Sequence, residues 1–541
     1  MKKGRKFLAL LLALCLAFSA FSLPASALGE KVQTNFSFKE TLEHRFYQAV
    51  DSLIVGLGAV LNTIIPGKNW VGKIEQLCNY EPQQFYPGKA RFDAAPAEGA
   101  QWRMGFSKAS FLEGINPLSG DYYIAGALAA MKGNVPEKVL DDQGVNTFAL
   151  SDGTTTVTYS SIDGFGLTRG DVIEIRARLA EFAKEQGIDS INVAALHQHS
   201  VIDTLGLGAP IVPAIFKNPT SILFGGKDLV VGRNPKFMET LYMAVTNSVI
   251  EAVKSMRPGT LSYGSVDVSE HICDKRDPQV FDGLFHRLRF VPDDETAKEI
   301  WVGQTCIHPV TIGSTSGVLS ADYPHYVESY VNEHAGADFV FIQGAELAIS
   351  SHGETFTYDE NGEENARAVA MGETLGKKLA SISEEKALLP LLNLAFSEVV
   401  LPVSNPIHII AGREALLGSV MCRKGLGYVV VTELGYMELG GKVKIAFAPG
   451  EFCQDLWQGG ASLTAAGSFN KTDFPYPPLV RVFGSDVHVF GLANDAVGYI
   501  VPDNDYILGE FRNHYHELIS LGAQTGSTVM RGFAKLKEEI T

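Results

Sequence analysis

Between residues 147 and 163 the chain reads TFALSDGTTTVTYSSID, two alternating runs on either side of Asp152-Gly153. Period two around an Asp-Gly pair predicts a β-hairpin. The next stretch, RGDVIEIRARLAEFAKEQG (169–187), changes period. Apolar residues recur at three and four, Asp171 can help cap the first turn, and Gly187 ends the run, so an amphipathic helix is predicted. INVAAL (191–196) is a short apolar run and reads as a strand. Strand, helix, strand is the grammar of an α/β sheet.

The pattern recurs downstream. It predicts a helix from about residue 234 closed by Pro258-Gly259, strands over 283–291 and 299–309, a helix over 322–336 and a strand over 337–345. Residues 427–452 are β-rich, 486–502 hold a strand and a loop, and the chain closes as helix. The run over 46–70 is mostly apolar but glycine-bearing, with Asp51 near its start, and is too short for a confident membrane span. It reads as a helix packed on the body, or as an apolar flap giving peripheral membrane contact through 46–66. Residues 81–101 form a Pro/Gly-rich linker. The expected architecture is α/β: one large domain over 102–541 with a mixed β-sheet core and flanking helices. A preamble and linker over 28–101 precede it, and no C-terminal immunoglobulin-like domain is expected.

The first residues change the picture of where the protein works. MKKGRK is basic, FLALLLALCLAFSAF is apolar, and Ala25 and Ala27 make the small-residue pattern of a signal-peptidase site. Residues 1–27 read as a signal peptide cut after Ala27, and the mature protein as secreted. The cut removes Lys2, Lys3, Arg5 and Lys6 and no acid, so the formal charge of −16 becomes −16 − 4 = −20. So acidic a chain argues against nucleic acid as a partner. Five cysteines remain, Cys78, Cys273, Cys306, Cys422 and Cys453, with no CxxC spacing, which is not a disulfide scaffold.

Candidate chemistry stands at the strand exits. INVAAL runs into His197-Gln198-His199, and residues two apart in a strand face the same side. Both imidazoles would project from the carboxyl end of a strand, where open α/β sheets place ligands, and neutral imidazole is a common ligand for zinc. WVGQTCIHP delivers His308, VKIAFAPGEF delivers Glu451 past a Pro-Gly turn, and VFGLANDAVGYI delivers Tyr499. Two histidines, a carboxylate and a tyrosine would make a four-ligand cation site. Taken singly, each also reads as structural: a core histidine, a helix-start acid, a half-buried tyrosine.

Four motifs in order over about 440 residues resemble the neutral/alkaline, non-lysosomal ceramidase family in its N-terminal catalytic domain. They are the 146–200 segment ending in HQHS, GQTCIHPVTIGSTSGVLSADYPHYVESYV, PGEF and FGLANDAVGYIVPDNDYILGEF. The resemblance implies a zinc-dependent amidase that cleaves the N-acyl bond of ceramide. Zn2+ would be held by His197, His308, Glu451 and Tyr499. His199 would face the substrate carbonyl oxygen, and an arginine of CDKRDP, Arg276, would sit nearby. The partner would be a small-molecule or lipid-like amide. The chain departs from the family at named places. Val201 and Ile202 replace a Gly-Pro pair, Leu347-Ala348 replaces a Gly-Asp pair, and Phe511 falls where the family has a tyrosine. The family's active-site serine falls on Glu346, which is therefore a candidate for acid–base work. Two other readings follow from these departures: a zinc hydrolase of another small amide or ester, and a non-catalytic or binding protein on a decayed ceramidase-like fold.

Overall fold

The hairpin and the βαβ unit form as predicted, and a larger sheet grows around them. The computed structural model describes residues 38–64, 92–126, 133–210, 232–313, 316–359, 362–413, 421–424, 427–510 and 514–540. The expected signal peptide, most of the preamble after residue 64 and Phe511 lie outside these residues. The first sheet uses β1 (Trp102–Ser110), β2 (Gly144–Ser151), β3 (Thr156–Ile162), β4 (Ser190–Ala195), β5 (Arg257–Asp267), β6 (Leu284–Pro292), β7 (Ile300–Thr305) and β8 (Asp338–Gln343). Their order across the sheet is β8-β7-β6-β5-β1-β2-β3-β4. The pairs at the two ends, β7–β8 and β3–β4, are parallel, and the pairs between are antiparallel. The sheet is therefore mixed, as expected.

Its two ends approach each other. The Asn146 side-chain amide on β2 donates to the Phe339 carbonyl of β8 at 3.1 Å, and the Ser161 hydroxyl on β3 donates to the Phe341 carbonyl at 2.6 Å. The curl brings the carboxyl ends of β4, β7 and β8 to one place.

A second sheet contains β9 (Leu392–Val403), β10 (Gly427–Leu439), β11 (Val443–Phe447) and β12 (Val487–Phe490) in that order, with β11 and β12 parallel. It packs face to face on the first. Trp102, Phe148, Tyr159, Leu261, Phe290 and Ile342 meet Leu394, Phe396, Ile445, Phe447 and Phe490 in one buried cluster. The Tyr159 ring lies 5.4 Å from Phe490 and 6.1 Å from Phe447, within aromatic contact.

Helices cover both outer faces. α1 (Phe38–Ile64) is the preamble helix; α2 (Arg169–Arg178), α3 (Ala180–Gln186), α4 (Pro235–Lys254), α5 (Asp322–His334) and α6 (Ala366–Ala380) follow, and α7 (Thr525–Ile540) closes the chain. Val172, Ile175, Phe237, Leu241 and Val245 of α2 and α4 pack on Val145, Ala149, Ile191 and Val193. Tyr323, Val327, Met371 and Leu375 of α5 and α6 cover Phe285, Phe339 and Phe341. Val529, Met530, Phe533 and Leu536 of α7 cover the far face of the second sheet. The result is a four-layer αββα body.

Two local readings need correction. The 169–187 helix breaks at Leu179, and its cap is a reciprocal box in which Thr168 and Asp171 bond each other's backbone N–H, so Asp171 caps with a partner. Pro258-Gly259 does not close α4. That helix ends at Lys254, and Pro258, which cannot continue a helix, becomes the second residue of β5. α1 packs on the body, with Ile54 and Val55 against the core and the Asp51 carboxylate accepting from the Leu508 N–H at 2.8 Å. Its outer face leaves Phe38, Leu42, Phe46, Leu53 and Val60 exposed. Among the described residues no helix is long and apolar enough to cross a membrane.

A buried ion pair ties the first helical layer to the second sheet. The Arg176 guanidinium donates to both oxygens of Glu433 at 2.8 and 3.0 Å, and through Nε to the Ile191 carbonyl at 2.9 Å. Both side chains are almost fully buried. Removing one partner strands a buried charge. Glu433→Gln is expected to cost about 3–5 kcal/mol. Glu239→Gln, which breaks the exposed pair with Arg178, is expected to cost far less. Thermal unfolding of the two variants checks this: equal Tm values would contradict it.

Candidate metal centre

β4 is buried throughout and ends at Ala195. His197 then adopts a left-handed backbone, φ 62°, which turns the chain out of the strand. The two histidines therefore reach the same side through a bend and not through the strand pleat; their ring centroids lie 5.1 Å apart. Gln198 holds the bend. Its amide donates to Asp163 at 2.6 Å and to the Ala321 carbonyl at 3.1 Å, and its carbonyl accepts from the Gly164 N–H at 3.0 Å.

The His197 Nδ1–H donates to the Phe165 carbonyl at 2.7 Å, and the Phe165 ring stacks on the imidazole at 4.3 Å. One nitrogen is thereby fixed as donor and Nε2 is free as a ligand, the usual arrangement behind a metal-bound histidine. That Nε2 lies 3.4 Å from Glu451 Oε1. β7 ends at Thr305 and the chain beyond it delivers His308, whose Nε2 is 2.8 Å from His199 Nε2. His197 and His308 are buried, while His199 is half-buried and faces the open side. Gly126, at φ 85°, lies so close that a Cβ there would stand 2.4 Å from His199 Cβ, so this imidazole needs a glycine behind it.

β8 delivers Glu346, which has no exposed surface, with Oε2 3.7 Å from His308 Nδ1. Glu451 opens a two-stranded parallel ribbon in which its register partner is Tyr499. The ligating atoms of His197, His308, Glu346 and Glu451 all lie within 4.8 Å of one another, and those of His197, His199 and His308 make an overlapping group. Among the described residues, neither Glu346 oxygen nor Glu451 Oε2 has an aligned hydrogen-bond partner. Burial, and for Glu346 the neighbouring Glu451 charge, push these carboxyls well above the usual range. Burial, then the neighbouring imidazoles, push His197 and His308 well below theirs, and burial takes His199 down to about 4. Neutral imidazoles beside unpartnered carboxyls form a donor set that fits a divalent cation.

Arg276 stands apart. Its guanidinium is buried between Asp505 at 2.5 Å and Glu517 at 3.2 Å. The neighbouring Lys275 is near enough for its charge to act on His199 and His308. Sequence reasoning passed over Lys275. His516 was also passed over; it is buried, with its ring 5.3 Å from Tyr499 and neither nitrogen bonded among the described residues.

The fold is neutral ceramidase-like. The crystal structure of neutral ceramidase from Pseudomonas aeruginosa superposes with a TM-score of 0.58 at 16% sequence identity, over 81% of this chain and 74% of that one. A ceramidase complexed with C2 gives 0.57 at 15% identity, over 81% and 75%. No protein-family model matches the chain, and no curated protein does.

Because the metal-free carboxyls hold their protons to unusually high pH, a cation must displace protons to enter. Zn2+ binding is therefore expected to release protons and to weaken as pH falls. Titration calorimetry in buffers of differing ionisation enthalpy reads both effects, and a pH-independent affinity would contradict them.

Proposed function

We propose that the protein is a secreted, zinc-dependent hydrolase of a linear N-acyl amide, ceramidase-like in reaction and lipid-like in substrate. One observation carries this reading: the ligating atoms of His197, His308, Glu346 and Glu451 converge within 4.8 Å. For His197, His308 and Glu451 these are the positions that the ceramidase-like motifs single out. The four-layer fold shared with the ceramidase structures supports the same reaction class. The basic, apolar and small-residue order of the first 27 residues supports export. The exposed apolar face of α1 supports peripheral contact with lipid.

A divalent ion held here would supply Lewis-acid polarisation of a carbonyl and lower the pKa of water toward about 7. The chain's own residues do the rest. His197, fixed by the Phe165 carbonyl, presents Nε2 in a set geometry. His199 is half-buried beside His308, Nε2 to Nε2 2.8 Å, and in a ceramidase-like reaction would offer a nitrogen to the substrate carbonyl oxygen. A donor there stabilises the developing oxyanion by about 3 kcal/mol. Lys275 adds a positive charge within electrostatic reach of His199. The curled strands and the Phe165 ring exclude water behind the histidines.

The position of Glu346 favours catalysis over a decayed, binding-only fold. A loop that had lost its function would be free to turn a charged side chain to solvent; this one buries it against the imidazoles.

The test is hydrolysis of a fluorogenic N-acyl-sphingosine and of simpler N-acyl amides, with and without chelator. Turnover should vanish with chelator and return with Zn2+. His199→Ala should lower kcat by about 10²–10³-fold with metal content unchanged. Chelator-insensitive turnover would sink the metal mechanism, and metal-bound protein inert on a broad amide and ester panel would favour the binding reading.

A further inference from the structure

We propose that Glu346 is the fourth ligand of the cation site, so that His197, His308, Glu346 and Glu451 hold the ion while Tyr499 supports Glu451 from outside. This rests on reading the cluster as a metal centre.

Geometry comes first. Four protein ligands about 2.0–2.2 Å from a five-coordinate ion, its fifth position open to water, stand roughly 3–3.5 Å apart. Four atoms already within 4.8 Å of one another need only a small contraction to reach that spacing.

The loop carrying Glu346 is tied to the Glu451 ribbon. The Gln454 amide donates to the Ala345 carbonyl at 2.5 Å, and the Leu347 N–H donates to the Phe452 carbonyl at 3.4 Å. Ala348, at φ 66°, bends the chain just beyond. A left-handed alanine persists only where its surroundings hold it, so the aim of Glu346 is built into the loop.

The chemistry of Glu346 fits a ligand better than a proton carrier. A general base must pass its proton on, to solvent or along a hydrogen bond. Glu346 has no exposed surface, and among the described residues neither oxygen has an aligned partner. A cation satisfies both oxygens at once.

Charge settles the place of Tyr499. Two carboxylates and two neutral imidazoles balance a divalent ion. A phenolate in addition would leave the buried shell one negative charge in excess, which the interior disfavours. Tyr499, the register partner of Glu451, is placed to orient that ligand instead. The resulting donor set is richer in hard carboxylate oxygen and should accept Mn2+ as well as Zn2+.

The experiment uses the full mature protein, stripped and reloaded. Zn2+ affinity is read by competition with a chromophoric chelator, and stoichiometry by elemental analysis. Glu346→Gln should weaken Zn2+ by at least about a hundredfold, and Tyr499→Phe by about tenfold, the size of losing a group that orients a ligand. Wild type loaded with Cu2+ should show no phenolate-to-copper charge-transfer band. That spectrum decides the matter if Glu346→Gln fails to fold. The reverse order of affinities, or a visible band in wild type that Tyr499→Phe abolishes, would overturn the assignment of Glu346 and leave the metal reading standing. A wild type that binds neither Zn2+ nor Mn2+ would overturn both.

Discussion

A carboxyl group cut off from water and from hydrogen-bond donors has two ways to remain inside a protein: keep its proton, or sit beside positive charge. Glu346 and Glu451 are placed so that both face this choice together. The histidines around them cannot resolve it, because burial keeps the imidazoles neutral. Such a cluster fits two compositions, protonated without a cation or deprotonated around one, and the candidate site is read in those terms.

The scaffold makes that placement by joining segments remote in the chain. The curl of the first sheet brings the ends of β4, β7 and β8 together. The second sheet contributes through the loop after β12. There Asn494 exchanges hydrogen bonds with Val193 on β4, its N–H donating at 2.8 Å and its side-chain carbonyl accepting at 3.0 Å. The same side chain reaches Asn192 and the buried Glu433 that pairs with Arg176. The loop leading to Tyr499 is thus held on the strand leading to His197. Stability and site geometry share these bonds, which is why a structural carboxylate on β10 matters to a metal centre it does not touch.

Much of this was legible in the chain. The change from period two to period three or four located the hairpin, the βαβ unit and most of the remaining strands, because burial on one face writes itself into spacing. His197, His308 and Glu451 were visible as polar groups at the exits of apolar runs. What was not legible came from contacts distant in sequence. Nothing local says that β8 curls back to β2 and β3, so the meeting of Glu346 with Glu451 was beyond reach. The reason given for the paired histidines was incomplete as well: the pleat argument assumed an unbroken strand, and His197 takes a left-handed turn. Arg276 was placed near the substrate by resemblance of its segment, but Asp505 and Glu517 lie far along the chain and pair with it. The break at Leu179 and the entry of Pro258 into a strand show tertiary packing overriding local preference.

The bonds from Asn146 and Ser161 to β8 have a further effect. β8 is the outer strand of its sheet, and the carbonyls along such a border invite pairing with any extended chain that arrives. Here two polar side chains from the opposite end of the same sheet occupy the Phe339 and Phe341 carbonyls. For a protein expected to work outside the cell, beyond the reach of cytoplasmic chaperones, sealing that border from within guards against self-association.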